Sequence, residues 1–312
     1  MCSRMDPCFF MRVDFLRELC YNDNMKRIII PLVALIGALV VSVLFSILLT
    51  LKRKKEGKPT RRARIVIFTI FMMLLFFGGG FVYFSIYSHA AEQAMVYMES
   101  TDTVSVSEIS KGYYFDGPGT EDALVFYPGA KVDEKAYSEL MMSLADDGID
   151  CFLISMPFHM AFLGKNIAGD VIDEYSKTGY KHWYICGHSL GGAIAANYAA
   201  EKENEGAIDG IVMLAAYATE KLPEKSKVMT VIATNDHVIN MEEYEKNRKN
   251  LPADSQEVVI QGGNHSRFGD YGEQAGDGEA TISRDEQIKQ VCESIVRLVQ
   301  PDYAHSMILQ EE

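Results

Sequence analysis

The sequence has little positive charge over most of its length. Of its 312 residues, 30 are Lys or Arg and 43 are Asp or Glu, which gives a net charge of −13. Residues 88–312 hold 17 basic and 38 acidic side chains, whereas residues 1–87 hold 13 and 5. A segment this acidic binds nucleic acids and anionic lipids poorly, because both are negatively charged. We therefore expect no nucleic-acid partner.

The sequence also lacks a cluster of metal ligands and a dinucleotide-binding glycine motif, so we expect no metal and no cofactor. Gly276-Asp277-Gly278 lacks the regularly spaced oxygen ligands of a calcium loop and is interpreted as a turn. Three of the six cysteines lie in the N-terminal tail, and Cys151, Cys186 and Cys292 lie in predicted strands and a helix. Three is an odd number for a disulfide framework, which favours buried thiols. A bond between Cys151 and Cys186 is left open.

Two long apolar runs without a charge occupy residues 28–51 and 65–87. Each exceeds the roughly 20 residues that a helix needs to cross a hydrocarbon core of about 30 Å. Two buried core helices are the alternative, but such helices are shorter and usually keep a polar face. The pattern predicts two membrane spans.

Residues 52–64 lie between the runs and contain eight Lys or Arg side chains against Glu56 alone. Short loops this basic stay in the cytoplasm, and their position between two spans argues against a nucleic-acid patch. We expect a tail at 1–27 (Met25 being an alternative start), spans at 28–51 and 65–87, a cytoplasmic loop at 52–64, a stalk at 88–103, an extracytoplasmic domain at 104–300 and a tail at 301–312.

Strand-like and helix-like segments alternate after the stalk, which predicts an α/β fold whose mostly parallel sheet is flanked by helices. The predicted strands are 123–127, 151–155, 183–186, 208–214, 228–233 and 257–260, and the predicted helices are 134–146, 190–201 and 285–299. Only 104–106 and 113–115 are candidates for the first strands, so we expect a reduced sheet.

Gly187-His188-Ser189-Leu190-Gly191 lies between an apolar strand and an alanine-rich helix. In this setting G-x-S-x-G is a nucleophile elbow, with the serine on a strained turn and the glycines avoiding collisions between strand and helix. Ser189 is therefore the candidate nucleophile.

Four motifs in order, FYPGAKVD at 126–133, the elbow, ATNDH at 233–237 and GGNHSRFGDYG at 262–272, resemble the α/β-hydrolase fold. The resemblance is greatest to its membrane-anchored "fold-5" branch, relatives of the dienelactone-hydrolase type. It spans roughly residues 104–300.

The partners of a hydrolase serine follow it in the order acid and then histidine. Asp236 and His265 each follow a predicted strand in that order, so His265 would accept the Ser189 proton and Asp236 would orient the imidazole. The alternative for Asp236 is a turn-forming residue. Among seven histidines His265 alone has this setting, and His188 is expected to point away from Ser189 in a structural role.

Two backbone N–H groups are expected to form the oxyanion hole, those of Leu190 and Ala130. An ordinary Pro-Gly turn at 128–129 is the alternative for the second. Only about 13 residues separate the strands ending at 214 and beginning at 228, which leaves no room for a large lid.

These features predict a membrane-anchored serine hydrolase that cleaves a small-molecule or lipid-like ester through an acyl-enzyme with a Ser189-Asp236-His265 triad. A peptidase or an acyltransferase with the same triad is an alternative, and so is a non-catalytic, membrane-tethered binding protein. The acyl and alcohol groups and the oligomeric state are not predicted.

Overall fold

A computed structural model of the protein describes residues 62–201, 204 and 206–301, together with the isolated positions 43, 47, 51, 52, 54 and 55. The chain divides into two compact units, Met1–Tyr83 and Phe84–Glu312. The second unit holds the sheet and every predicted site residue.

The apolar run at 65–87 lies mostly in helix α1, Arg62–Ser85. Its stretch Phe68–Ser85 has a mean hydropathy of 1.8 and is long and apolar enough to cross a membrane, with none of it buried by protein. The run at 28–51 lies outside the described residues except at positions 43, 47 and 51. One helix of the predicted hairpin is thus available to span a membrane.

An eight-stranded sheet forms the centre of the second unit, as the alternating pattern predicted. Its strands are β1 Ser105–Ile109, β2 Gly112–Asp116, β3 Asp122–Tyr127, β4 Ile149–Ile154, β5 His182–His188, β6 Gly210–Leu214, β7 Lys227–Ala233 and β8 Gln256–Ile260. They lie in the order β1-β2-β4-β3-β5-β6-β7-β8. Pairs β1–β2 and β2–β4 are antiparallel, and the other neighbours are parallel.

The expectation of a reduced sheet is wrong, because both weakly predicted segments form strands. β1 pairs with β2 along its whole length, from Ser105 opposite Asp116 to Ile109 opposite Gly112. β1 is an edge strand with no fully buried residue. Since such a strand need not be apolar, its sequence gave only a weak signal.

Helices cover both faces of the sheet. They are α2 Glu92–Val96, α3 Ser138–Asp146, α4 Ile167–Glu174, α5 Leu190–Ala199, α6 Met241–Asn247 and α7 Arg284–Val299. Side chains of α3 and α7, such as Leu140 and Ile295, are buried in one core cluster. Val171 of α4 and Ala195 of α5 belong to the cluster on the other face.

The connection after β6 is short, because β6 ends at Leu214 and β7 begins at Lys227. No lid domain is inserted there, as predicted. Cys151, Cys186 and Cys292 are free and buried. Cys151 and Cys186 do not form the disulfide bond that the sequence allowed, because β3 lies between the strands that carry them.

The segment predicted as a stalk packs against the α/β domain. Ala94 of α2 is fully buried, and its carbonyl oxygen accepts a 2.6 Å hydrogen bond from Ser138 Oγ. The N–H of Ala91 donates to the carbonyl oxygen of Asp270 at 2.8 Å. The chain is therefore held by the domain from before the first strand.

Candidate active site

The turn between β5 and α5 places Ser189 in a strained conformation. Its φ of 54° and ψ of −123° are rare for a residue with a side chain and cost about 1–3 kcal/mol. The N–H of Ser189 donates to the carbonyl oxygen of Leu214 at 2.8 Å, which ties the turn to β6. Strain of this kind persists only where the surrounding structure enforces it, which is typical of a functional site.

Two glycines make the tight turn sterically possible. A Cβ atom on Gly191 would lie 2.1 Å from the carbonyl oxygen of Tyr127, and one on Gly187 would lie 2.6 Å from the carbonyl carbon of Gly191. Both distances are far below van der Waals contact. The turn therefore brings α5 against the end of β3 as well as against β5.

Asp236 and His265 form a buried hydrogen-bonded pair. Asp236 follows β7, His265 follows β8, and the Asp236 Oδ2 to His265 Nδ1 distance is 2.8 Å. Asp236 Oδ1 accepts hydrogen bonds from the N–H groups of Val238 and Ile239 at 2.8 and 2.9 Å. Since the carboxylate faces Nδ1, this nitrogen carries the proton and Nε2 is left as the basic nitrogen. His265 Nε2 is buried and has no hydrogen-bond partner in the described part of the chain.

His188, directly before the nucleophile, connects the elbow with this pair. Its buried ring lies 4.6 Å from the His265 ring, measured between centroids. Its Nδ1 lies 2.8 Å from Tyr137 Oη. Burial holds the pKa of His188 well below its usual range, and the neighbouring His265 lowers it further. A neutral imidazole beside His265 adds no positive charge to the site.

The loop after β3 carries the Ala130 N–H, the second of the two predicted oxyanion donors. Within the described residues this N–H has no hydrogen-bond partner. On either side, the N–H of Gly129 donates to Tyr137 Oη at 3.1 Å and the N–H of Lys131 donates to the His159 carbonyl oxygen at 2.8 Å. The Leu190 N–H, at the first residue of α5, has no acceptor within its own helix. Neither predicted donor is therefore engaged by another backbone group in the part of the chain that the structure describes.

Sequence reasoning missed the second carboxylate beside His265. Asp277 Oδ2 accepts a hydrogen bond from the Ser266 N–H at 2.8 Å, and its Oδ1 accepts longer ones from the N–H groups of His265 and His237, both at 3.3 Å. Asp277 therefore fixes the backbone of the histidine loop. Its only signal in the sequence was the pair of glycines around it, which suggested a turn.

The opposite side of the histidine loop is held by α7. The side chain of Gln287 accepts from the Asn264 N–H at 3.0 Å and donates to the Asn264 carbonyl oxygen at 2.9 Å. Asn264 Nδ2 also donates to the Gly278 carbonyl oxygen at 2.7 Å. These contacts surround His265 with fixed backbone and restrict where its ring can lie.

In the part of the chain that the structure describes, no group of three or more His, Cys, Asp and Glu side chains is placed to hold a metal ion. Ser189, the Asp236–His265 pair and the Ala130 N–H each follow the end of a parallel strand, at the same edge of the sheet. Within the described residues Ser189 Oγ and His265 Nε2 do not form a hydrogen bond with each other. Groups of these kinds at one edge of a sheet are suited to nucleophilic attack and proton transfer.

Comparison with known proteins gives a family match and distant structural relatives. The sequence model of the Alpha/beta hydrolase family matches residues 123–289. Similar solved structures include dienelactone hydrolase from Anabaena variabilis, with 13% identity, a TM-score of 0.48 and coverage of 64% of this chain and 100% of that chain. Monoglyceride lipase from Saccharomyces cerevisiae, in a soluble variant, has 11% identity, a TM-score of 0.46 and coverage of 65% and 97%. No curated protein matches the sequence.

Proposed function

Because the chain belongs to the alpha/beta hydrolase family, we propose that it is a membrane-anchored serine hydrolase that cleaves an ester bond through an acyl-enzyme. The observation that carries the proposal is the buried Asp236–His265 pair. Its unpartnered Nε2 belongs to a ring in contact with the residue that precedes Ser189.

In the proposed first half-reaction, Ser189 Oγ attacks the ester carbonyl carbon while His265 Nε2 accepts the hydroxyl proton. The carbonyl oxygen becomes an oxyanion that accepts hydrogen bonds from the N–H groups of Leu190 and Ala130. Asp236 keeps the imidazole oriented and stabilises its positive charge. The bond to the alcohol then breaks, and His265 returns the proton to the leaving oxygen.

In the second half-reaction, water replaces the alcohol. His265 Nε2 accepts a proton from the water while its oxygen attacks the acyl carbon on Ser189. The bond to Ser189 Oγ breaks, Oγ takes the proton back from His265, and the carboxylic acid leaves. An amine or a second alcohol in place of water would make the same site an acyltransferase, so the choice of acceptor is left to experiment.

The membrane part of the proposal rests on sequence and composition. Residues 68–85 of α1 are apolar and unburied, and such a helix needs lipid or another protein around it. The basic loop at 52–64 supports a cytoplasmic position for the N-terminal side of α1, because short loops rich in Lys and Arg stay in the cytoplasm. The α/β unit would then lie on the extracytoplasmic side, where it would meet ester substrates in water or in the outer lipid layer.

Labelling with a fluorophosphonate probe tests the chemistry directly. The probe should label the full-length protein, and Ser189→Ala should abolish both labelling and turnover of p-nitrophenyl acetate, with a fall in kcat of about 10⁶-fold. Ser176→Ala is the matched control, because Ser176 is an exposed serine in the turn after α4, and its hydroxyl donates to the Asp173 carbonyl oxygen. Turnover that survives in folded Ser189→Ala protein would overturn the proposal. A folded wild-type protein that is not labelled would favour a binding role instead.

A further inference from the structure

The loop at 129–132, here named the oxyanion loop, is bonded to a chain segment that precedes the first strand of the sheet. The N–H of Ser88 donates to the Lys131 carbonyl oxygen at 2.8 Å, and the Ser88 carbonyl oxygen accepts from the Asp133 N–H at 2.9 Å. Ser88 and Val132 thus form a parallel β-bridge. Ser88, three residues after the end of α1, therefore pairs with the oxyanion loop as a neighbouring strand would.

A second contact connects the same segment with the oxyanion loop through His159. The ring of Tyr87 stacks on the ring of His159, with centroids 3.8 Å apart and planes at 27°. The carbonyl oxygen of His159 accepts the Lys131 N–H. Both polar groups of the Lys131 backbone are therefore bonded, one to Ser88 and the other to the residue on which Tyr87 stacks.

The backbone at these positions is strained and needs such support. Lys131 has a φ of 57°, and Phe158 and His159 both have a φ of 53°. Left-handed conformations are unfavourable for residues with side chains, and they persist only where neighbours enforce them. Removal of the contacts of Tyr87 and Ser88 would allow Lys131 and His159 to relax towards negative φ.

The geometry gives this support a consequence for catalysis. The Gly129–Ala130 peptide, which carries the Ala130 N–H, lies between two peptides whose N–H groups are bonded, one to Tyr137 and one to His159. The direction of the Ala130 N–H is set by those two neighbours. An oxyanion donor must be oriented before the charge forms, since reorientation during the reaction lowers its value.

We propose that Tyr87 and Ser88 are positioning residues for the Ala130 N–H, so that the segment joining the apolar helix to the domain supports the oxyanion hole. This inference rests on the proposed serine-hydrolase function. Neither residue touches the substrate: Ser88 acts through its backbone and Tyr87 through His159.

The test compares Ser88→Pro with Ser88→Ala in the full-length protein in detergent. Proline removes the Ser88 N–H that donates to the Lys131 carbonyl oxygen. Alanine keeps both backbone hydrogen bonds and changes only an exposed side chain. With rates normalised to active sites titrated by fluorophosphonate, Ser88→Pro should lower kcat at least about 10-fold with KM within about twofold. The inhibition constant of a trifluoromethyl ketone, which forms an oxyanion on the serine, should rise by the same factor. Ser88→Ala should keep kcat, KM and the inhibition constant of the ketone at their wild-type values.

Tyr87→Ala and Tyr87→Phe form a second pair that decides the question if Ser88→Pro does not fold. Phenylalanine keeps the stack on His159 and should keep kcat. Alanine should lower kcat and raise the inhibition constant of the ketone by the same factor. A merely structural role would reduce the titrated fraction of active sites and leave kcat per site and the ketone constant unchanged; that result would overturn the inference. Its failure is distinct from failure of the proposed function, in which Ser189→Ala would still turn over substrate.

Discussion

Replacement of Asp236 by asparagine tests the proposed chemistry with almost no change of shape. In the protein, Asp236 Oδ1 accepts two backbone N–H groups and Oδ2 faces His265 Nδ1 at 2.8 Å. An asparagine must keep its oxygen towards the two N–H groups, because its NH₂ group cannot accept from them. The NH₂ group then faces His265 Nδ1 and donates to it.

This single reversal changes the tautomer of the histidine. With Nδ1 accepting a hydrogen bond, the imidazole proton moves to Nε2, and Nε2 can no longer accept the proton of Ser189. An intact site with the wrong tautomer loses about 10⁴ in kcat, which corresponds to about 5.5 kcal/mol of transition-state stabilisation. We expect Asp236→Asn to lower kcat for p-nitrophenyl acetate by that factor, with thermal unfolding close to that of the wild type.

Asp209→Asn is the matched control, because it alters a second Asp–His pair away from the site. Asp209 Oδ1 lies 3.5 Å from His182 Nδ1 and Oδ2 accepts from the Trp183 N–H at 2.9 Å, at the opposite end of β5 from Ser189. It should leave kcat unchanged. If Asp236→Asn protein is folded and keeps kcat within tenfold of the wild type, the tautomer argument is refuted and Asp236 is a turn residue only.

Two further predictions concern stability and topology. Burial lowers the pKa of His188 in the folded state. Below about pH 6.5 the unfolded chain therefore binds a proton at His188 that the folded protein does not bind. The free energy of unfolding then decreases as the pH decreases, by up to about 1.4 kcal/mol per pH unit. The free energy of unfolding, measured with urea between pH 7 and pH 5, should depend less steeply on pH in His188→Phe than in the wild type. The same pH dependence in both proteins would exclude His188 as its source. If the loop at 52–64 is cytoplasmic, protease added to intact cells should cleave the α/β unit. Cleavage in inverted vesicles but not in intact cells would show the opposite orientation.

The elbow could be predicted because its constraints are local in the chain. Gly187 and Gly191 are required by contacts within a few residues and with the neighbouring strand, and the apolar strand before them identifies the context. Asp236 and His265 were predicted from chain order together with their positions at strand ends. The parallel sheet brings such ends to one edge, so the order of elements was enough to place the pair together.

The strand order could not be predicted at the same level. The sequence left β4 and β5 as possible neighbours, whereas β3 lies between them and separates Cys151 from Cys186. Neighbours in a sheet are chosen by pairing between distant segments, and a buried apolar strand carries little information about its partners. The edge strand β1 was weakly predicted for a related reason, since an exposed edge has no need of apolar residues.

The contacts that orient the site are the least visible in the sequence, because each joins segments far apart. Tyr137 lies 51 residues before His188 and bonds it across the core. A tyrosine inside the predicted helix 134–146 gives no sign of this contact. Ser88 and Lys131 meet through backbone atoms alone, and backbone hydrogen bonds are open to any residue except proline. The type of side chain therefore predicts which groups react, whereas the groups that hold them in place follow from the fold. For this chain it follows that variants of Ser189, Asp236 and His265 test the reacting groups and the imidazole that serves them, whereas variants outside the motifs, such as those at Tyr87 and Ser88, test the support of the oxyanion loop.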